Sequence, residues 1–462
     1  MLNVTGTATL GGSVQVVAEA GSYASSGQYT IIEATSVSGA FNSTVTGNLP
    51  GYTFTLSQDS NSVFLLYSFT GFPSSVAIGT SGLSGNVLSL ANYLNTNGSS
   101  SALAPLNGLS GGELQEALVS ISPARNAFGT YIAAQTAFSF SGLVSNHMDA
   151  FRGSETRGTR DSFLSLLTAD SSGKIAAPRS GDRKNILVGW ASGFGEFAYQ
   201  SASSQNPAFH FNSGGLIAGL DYQGKSRSLV GGSLGYAHTG YHESDHAGSG
   251  DINYYFASIY GNRFFNNFYI SPAISGIYNK TKNKRNISFM GFLEKARADI
   301  FAWQLLPHLE IGYDQVLSFG HLIPFTSLDW AISWQRGYKE HGASPYNATQ
   351  GAHSSSMARS ETGLRLSERW EKSWGALLLN EKFSYVFEKP FGVGKTNAAF
   401  IGLPGTFNVT AVNQNLNLGA IGLNCLFMIG KAAPMNVDLG YEGEFGSNYW
   451  SNQFMLKLSK SF

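Results

Sequence analysis

The sequence is poor in charge and nearly free of cysteine. Charged residues are 13% of its 462 positions, about half the share usual in a soluble domain. Lys and Arg number 29 and Asp and Glu also 29, so the formal net charge is zero. Nothing in that balance points to a nucleic acid or an anionic surface as partner. The single cysteine, Cys425, excludes an intramolecular disulfide scaffold. No run of about 18 uncharged apolar residues occurs, so no transmembrane helix is expected. If such a chain spans a membrane, it does so as a barrel. The opening Met1-Leu-Asn-Val-Thr-Gly shows no basic region followed by an apolar core, so no signal peptide is visible. The expectation is that the sequence is the C-terminal part of a longer product.

Aromatics are plentiful at 13%, glycine is abundant at 55 residues and proline modest at 13. That profile suits β-structure with many turns rather than disorder. Residues 1–70 alternate Val, Ile, Leu and Phe with Gly, Ser, Thr and Asn, as in Val14-Gln-Val-Val and Val63-Phe-Leu-Leu-Tyr. Turn residues interrupt them every eight to twelve positions or so, as in a stacked solenoid or its cap. Residues 71–184 read as a connector. Its Ser/Gly/Asn-rich start holds a short helix at Asn86–Leu94. Leu114, Leu118 and Ile121 are spaced for a helix face, and a second helix follows Pro123, over Ala124–Phe151. Residues 152–184, with Arg152, Arg157, Arg160, Arg179 and Arg183, form a polar basic linker.

Residues 185–462 resolve into twelve amphipathic strands. Their cores are Ile186–Tyr199, Asn212–Tyr222, Ser228–Tyr241, Asn253–Phe264, Phe268–Asn279, Arg297–Tyr313, Leu322–Trp334, Met357–Trp370, Gly375–Phe387, Leu416–Ile429, Asn436–Phe445 and Tyr449–Phe462. Most exceed the roughly 9–11 residues a tilted strand needs to cross a bilayer. Gaps after even strands are short, and Lys280–Ala296, Gln335–Ser356 and Glu388–Asn415 after odd strands are long. Short turns on one side and long loops on the other are the pattern of an outer-membrane barrel. Alternation places Glu310, Asp329, Arg359, Glu361, Arg365, Asp438, Glu442 and Glu444 on lumen-facing sides. The last strand, Gln453-Phe-Met-Leu-Lys-Leu-Ser-Lys-Ser-Phe462, puts Phe454, Leu456, Leu458 and Phe462 on one apolar face, with Lys460 interrupting it. On a soluble edge that stripe would invite aggregation, whereas a closed barrel in lipid requires it. A soluble sandwich or propeller also alternates. The ionic faces, the loop asymmetry and the aromatic terminus favour the barrel.

In this order, the segments resemble an autotransporter of the type V secretion family. Gly189-Trp-Ala-Ser-Gly-Phe-Gly, Gly219-Leu-Asp-Tyr and Gly235-Tyr-Ala-His-Thr are similar to the opening strands of its translocator. Tyr29-Thr-Ile-Ile-Glu-Ala and Ser38-Gly-Ala-Phe41 resemble the capped end of a β-helical passenger. Glu113-Leu-Gln-Glu-Ala-Leu-Val-Ser-Ile-Ser-Pro resembles the helical segment that follows it. The resemblance implies an all-β fold: a twelve-stranded antiparallel transmembrane barrel, preceded by a β-helix-like passenger end and an α-helical linker. It implies an outer-membrane location in a Gram-negative bacterium with the N-terminal part on the cell surface. It also implies that Phe454, Leu456, Leu458 and Phe462 are read by the barrel-assembly machinery. The partners implied are the lipid bilayer, that machinery, periplasmic chaperones and the chain's own passenger. No cofactor, metal or catalysis is implied. The lumen of a twelve-stranded barrel admits one helix or one or two extended segments, and residues 152–184 are expected to thread it. Their arginines would meet Asp221, Glu310, Asp329, Asp438, Glu442 and Glu444. An outer-membrane porin or adhesin with a soluble N-terminal β domain, or a secreted soluble β-helical protein, are the alternatives.

Catalytic motifs are present only as spacings. His242-Glu-Ser-Asp-His246 matches a zinc-protease pattern, but that chemistry needs both histidines on one helix face. Gly231-Gly-Ser233-Leu-Gly235 and Gly108-Leu-Ser110-Gly-Gly112 match a nucleophile elbow without its strand-to-helix setting. Gly392-Val-Gly-Lys-Thr396 is half a phosphate loop. Passenger release by an asparagine would draw on Asn146 and Asp149, but no Asn-Asn junction is seen.

Overall fold

A computed structural model describes residues 1–17, 24–47, 52–70, 77–107, 109–155, 186–202, 207–224, 227–244, 247–289, 291–391, 395–410, 414–429 and 435–462. The N-terminal part builds β1 (Leu2–Leu10), β2 (Ser26–Gly39), β3 (Tyr52–Gln58) and β4 (Ser62–Phe69). β1 pairs with β2 in parallel, Leu2 opposite Ile32, and Gln15–Val16 pairs in parallel with Thr46–Gly47. Two parallel ladders with nearly one sequence offset are one coil stacked on the next. β4 then pairs antiparallel with both β2 and β3, which ends the stack. Ala8, Leu10, Ala34 and Val63 form its small core.

Among the described residues three longer helices follow, α1 (Gly85–Asn97), α2 (Gly111–Ile121) and α3 (Phe128–Glu155), with a single turn at Ser100–Leu103 between the first two. Pro123 opens a 3-10 turn, Pro123–Ala127, that leads into α3. α3 is long, yet no described helix is apolar enough to cross a membrane in lipid.

The barrel strands are β5 (Ile186–Gln200), β6 (Phe209–Gly224), β7 (Ser228–Glu243), β8 (Gly248–Phe265), β9 (Phe268–Phe289), β10 (Phe292–Tyr313), β11 (His321–Gln335), β12 (His353–Lys372), β13 (Gly375–Phe391), β14 (Leu416–Ile429), β15 (Met435–Phe445) and β16 (Tyr449–Ser461). Each pairs antiparallel with its sequence neighbours, and β16 closes the ring on β5, from Tyr449 opposite Gln200 to Ser461 opposite Val188. Closure leaves no unpaired edge, which lipid forbids. Outward positions carry Leu216, Leu234, Ile259, Leu309, Leu328, Phe383, Leu439 and Leu456, all exposed. Inward positions between them are buried. The β8–β9 turn is the dipeptide Asn266-Asn267, with Asn266 in the left-handed region at φ 57°, a conformation asparagine tolerates.

One loop is corrected. Lys280–Ala296 is not a long loop but the top of a hairpin, with strand to Phe289 and from Phe292 and a turn at Gly291 (φ 81°). There the outward residues are charged, so apolar alternation fades. The inward residues still alternate, and Ile287 and Phe289 are buried. The segments after Gln335 and Phe391 do form long loops. They contribute Tyr338–Lys339, Ala348–Gln350, Lys395–Phe400 and Phe407–Thr410 to a small four-stranded sheet.

Candidate functional site in the barrel lumen

α3 lies inside the barrel. Its first turn is at the long-loop end: Phe128 stacks on Phe209, the Tyr131 hydroxyl donates to Gln200 at 3.0 Å, and the Thr130 hydroxyl to Gln335 at 2.7 Å. Its last turns are near the short-turn end. There Arg152 donates to Ser271 at 2.7 Å and covers the Tyr269 ring at 4.4 Å. This corrects the expectation that the threading segment is residues 152–184. Arg152 alone of its arginines is described; Arg157, Arg160, Arg179 and Arg183 lie outside the described residues. An Ala- and Phe-rich helix fits because half of the lumen wall is itself apolar.

The helix has two faces and the wall has two halves. Phe128, Ile132, Phe140, Val144, His147 and Phe151 recur at helical spacing. They pack toward the first strands, in a core with Trp190, Phe194, Phe211, Ile217, Tyr241 and Phe256. Phe140 stacks on Phe256 with ring centroids 3.9 Å apart, and His147 on Trp190 at 4.2 Å. Room for Phe140 is made by Gly235, where a Cβ would sit 3.1 Å from its ring. The opposite face carries Gln135, Ser139, Ser145, Asp149 and Arg152. Gln135 donates to Glu388 at 2.7 Å, Ser139 to Glu196 at 2.9 Å and Ser145 to Glu310 at 3.3 Å. Ser141 donates to Asp329 at 2.6 Å.

Behind these contacts runs a buried ionic network on β10–β13, β15 and β16. Arg365 pairs with Glu310 at 2.8 Å and Asp149 at 3.2 Å, and Arg152 joins the same two carboxylates, 3.0 Å from Glu310. Arg359 bridges Glu388 at 2.7 Å and Glu444, with Glu361 at 3.7 Å. Lys382 links Glu361 at 2.9 Å to Glu442. Asp329 holds His308 at 2.8 Å, and Asp438 holds Lys457 at 2.8 Å. The structure thus places Arg359, Glu361, Arg365, Glu310, Asp329, Asp438, Glu442 and Glu444 on the lumen wall. Of the carboxylates expected to receive linker arginines, only Glu310 meets one among the described residues. Asp221 meets His147 and the Tyr260 hydroxyl instead, and the other four meet cations and histidine of the wall. An isolated buried charge is costly, so strands supply their own counter-ions. Sequence reading missed Lys382, Glu388 and Glu196; Lys382 and Glu388 share the parity of the buried Leu378 and Val386 on β13, which is the signal that locates them. Between helix and ionic wall there remains a cavity of about 50 Å³ lined by Gly142, Glu196, Arg359 and Lys382, room for a few waters and no more.

Above the barrel, α1 and α2 sit on the long loops. Asn86 and the Thr410 backbone exchange hydrogen bonds of 3.0 and 2.7 Å, and Tyr93 packs on Phe407 at 4.8 Å. Arg285, at the top of β9, pairs with Glu340 at 2.6 Å and donates to the Ser120 carbonyl at 3.2 Å. Burial pushes the Tyr93 and Tyr346 phenols above their ordinary range. Phe454, Leu456, Leu458 and Phe462 face outward from β16, exposed.

The catalytic spacings find no catalytic setting. His242 and Glu243 are on strand β7 and Ser233 is mid-strand, buried. Ser110 precedes α2 but follows no strand. Asp245, His246 and Gly392–Gly394 lie outside the described residues. Among the described residues no group of three or more His, Cys, Asp or Glu is placed to hold a metal ion.

A closed twelve-stranded barrel with an apolar exterior, unequal loops and a chain passing through its lumen defines an outer-membrane translocator. The autotransporter beta-domain family matches residues 189–440, more than half of the chain. The chain belongs to that family, and its place is the Gram-negative outer membrane. It is 23% identical over 403 residues to Outer membrane protein B of Rickettsia rickettsii, covering 83% of this chain and 24% of that one. It is 22% identical over 329 residues to an extracellular serine protease of Serratia marcescens, covering 70% of this chain and 30% of that one. The chain therefore spans about a quarter to a third of the length of these relatives. Among solved structures it is similar to the translocator domain of the autotransporter NalP from Neisseria meningitidis, with a TM-score of 0.48 and 14% identity, covering 67% of this chain and 98% of that one. It is also similar to the beta domain of the Bordetella autotransporter BrkA, with a TM-score of 0.45 and 16% identity, covering 59% and 98%.

Proposed function

We propose that the barrel passes an N-terminal passenger to the cell surface and then holds it there, with α3 as the tether that fills the lumen afterwards. The observation that carries this is the direction of α3, which enters at the long-loop end and leaves toward the short turns where β5 begins. Residues before Phe128 are then on the outer side. Residues 1–70 are the end of the passenger, 71–184 the connector and 185–462 the translocator. The apolar half of the wall grips the helix and the ionic half satisfies its polar face, so the helix is stable only once seated. Seating therefore supports one-way transport without a nucleotide. The chain does no catalysis of its own; any activity such as the one named for the Serratia relative would belong to a passenger. The outward row Phe454, Leu456, Leu458 and Phe462 is the surface offered to the barrel-assembly machinery after periplasmic chaperones release the chain. The porin alternative needs an open lumen, and the soluble alternative needs a polar exterior; neither matches the filled interior or the apolar outer face.

Whole-cell accessibility tests this. An epitope placed before Leu2 should be labelled and protease-sensitive on intact cells, and one placed after Phe462 should be reached only after the outer membrane is broken. The reverse pattern would overturn the proposal.

A further inference from the structure

Outward aromatics mark two levels on three adjacent strands. Tyr255 and Phe265 on β8, Tyr278 and Phe268 on β9, and Trp303 and Tyr313 on β10 are each ten residues apart, all on the outer face. Within the upper row, Tyr255 is opposite Tyr278 and Tyr278 opposite Trp303, with ring centroids 6.3 and 4.8 Å apart. A residue on a strand tilted by about 40° climbs roughly 2.5 Å along the membrane normal. Ten residues then span about 25 Å, the height of the apolar band of such barrels. Tyr278 therefore sits at the outer water interface of the membrane.

The strands do not stop there. Above Tyr278, Lys280, Lys282 and Lys284 follow on the outward parity of β9, while Thr281, Asn283 and Arg285 between them are buried. They stand about 5, 10 and 15 Å above the tyrosine by the same rise. Arg297 on β10 is opposite Lys284, and Lys295 lies beyond it. Three carboxylates share this face: Asp251, Asp299 and Glu294. Asp299 is taken by Lys280 at 2.8 Å, and Asp251 lies 3.7 Å from His238. Among the described residues Lys282, Lys284 and Arg297 make no ion pair, and all three are exposed. Cations held upright on a rigid hairpin, immediately above an aromatic row, stand at the height of lipid headgroups.

We propose that Lys282, Lys284 and Arg297 form a ridge that binds the phosphates of an anionic glycolipid in the outer leaflet, next to the hairpin. The ring of Tyr278 meets the acyl boundary below and the cations meet the phosphorylated sugars above. Lys280, paired with Asp299 and 5.1 Å over the Phe301 ring, positions the ridge and is not itself free for phosphate. This surface faces lipid and is separate from the lumen, so it stands whether or not the helix is a tether.

The test uses the full chain in a zwitterionic detergent, with fluorescent diphosphorylated lipid A as probe and its dephosphorylated form as control. Wild type should bind the phosphorylated form and discriminate against the other. The triple variant Lys282→Gln, Lys284→Gln, Arg297→Gln should bind it on the order of a hundredfold more weakly. A charge-matched control, Arg263→Gln, Lys339→Gln, Lys372→Gln, should bind as wild type does. All three proteins should show the same shift between cold and boiled samples on a gel, which keeps folding out of the comparison. Equal binding of the two lipid forms by wild type, or undiminished binding by the ridge variant, would overturn the proposal. So would displacement of the lipid by inorganic phosphate at equal concentration, which would mark a free-phosphate site.

Discussion

Arg152 on the lumenal helix and Glu310 on strand β10 form an ion pair of 3.0 Å, with both side chains 2% exposed. Glu310 also accepts from Arg365, and Arg152 also donates to Asp149. The helix is thus locked to the wall through a four-member cluster at the inner end of the barrel. Arg152→Met leaves Asp149 with Arg365 alone and removes the only helix cation from the cluster. Breaking a buried pair by removing one partner costs about 3–5 kcal/mol. The seated helix should lose on the order of a hundredfold or more in its seated-to-released ratio. The check is the rate at which a cysteine placed at Ser145, facing Glu310, reacts with a water-soluble maleimide; it should rise sharply in the variant.

On the other side of the helix the contact is steric. Gly235→Val places methyl groups where Phe140 stacks on Phe256. Overpacking of this kind costs about 1–3 kcal/mol. The barrel should still close, because the strand keeps its ladder, but the midpoint of thermal unfolding in detergent should fall. The change Gly142→Ala, inside α3 where a Cβ meets nothing within 4 Å, should not lower it, since alanine favours a helix interior over glycine. A reversed order of these two variants would contradict the packing described.

The lipid face makes a third prediction. Leu456 is outward on β16, six residues from both Trp450 and the terminal Phe462, near the middle of the apolar band. Leu456→Lys should cost about 2–4 kcal/mol of folded barrel. Lys460 at the inner rim is already tolerated, since it reaches the interface with its nitrogen 5.7 Å from the Phe462 ring. Leu456→Lys should therefore lower the yield of heat-modifiable protein in the outer membrane, and Lys460→Leu should not.

A fourth concerns the cap. Asn86→Ala leaves the Thr410 amide and carbonyl without their side-chain partner. An unsatisfied buried polar group costs about 1–3 kcal/mol. The loop around Phe407–Thr410 should become cleavable by external protease on intact cells, with the barrel core unaffected. Protection equal to wild type would mean the clasp is not what holds the loop.

Much of the barrel is legible in the sequence because lipid enforces a period of two. Leu328 and Trp330 against Asp329, or Leu439 against Asp438, announce their faces directly. The hairpin top at Lys280–Lys284 is not legible that way, since above the membrane both sides can be polar and only the inward Ile287 and Phe289 keep the rhythm. The ionic residues of the lumen are readable singly, but their partners are not. Arg359 meets Glu388 and Glu444 from strands 29 and 85 residues away, which no local pattern reports. Nor does helical periodicity say where a helix goes. The apolar face of α3 looks like that of any core helix, and its destination depends on an aromatic half-wall assembled from the four separate strands β5–β8.

The most direct test of the account is ion conductance of the purified full chain in a planar bilayer, against the same chain with residues 128–155 deleted. The filled lumen predicts near silence for the full chain and a large, steady conductance once the helix is gone. A full chain that already conducts as freely as the deletion would contradict the seated helix and return the barrel to the class of open pores.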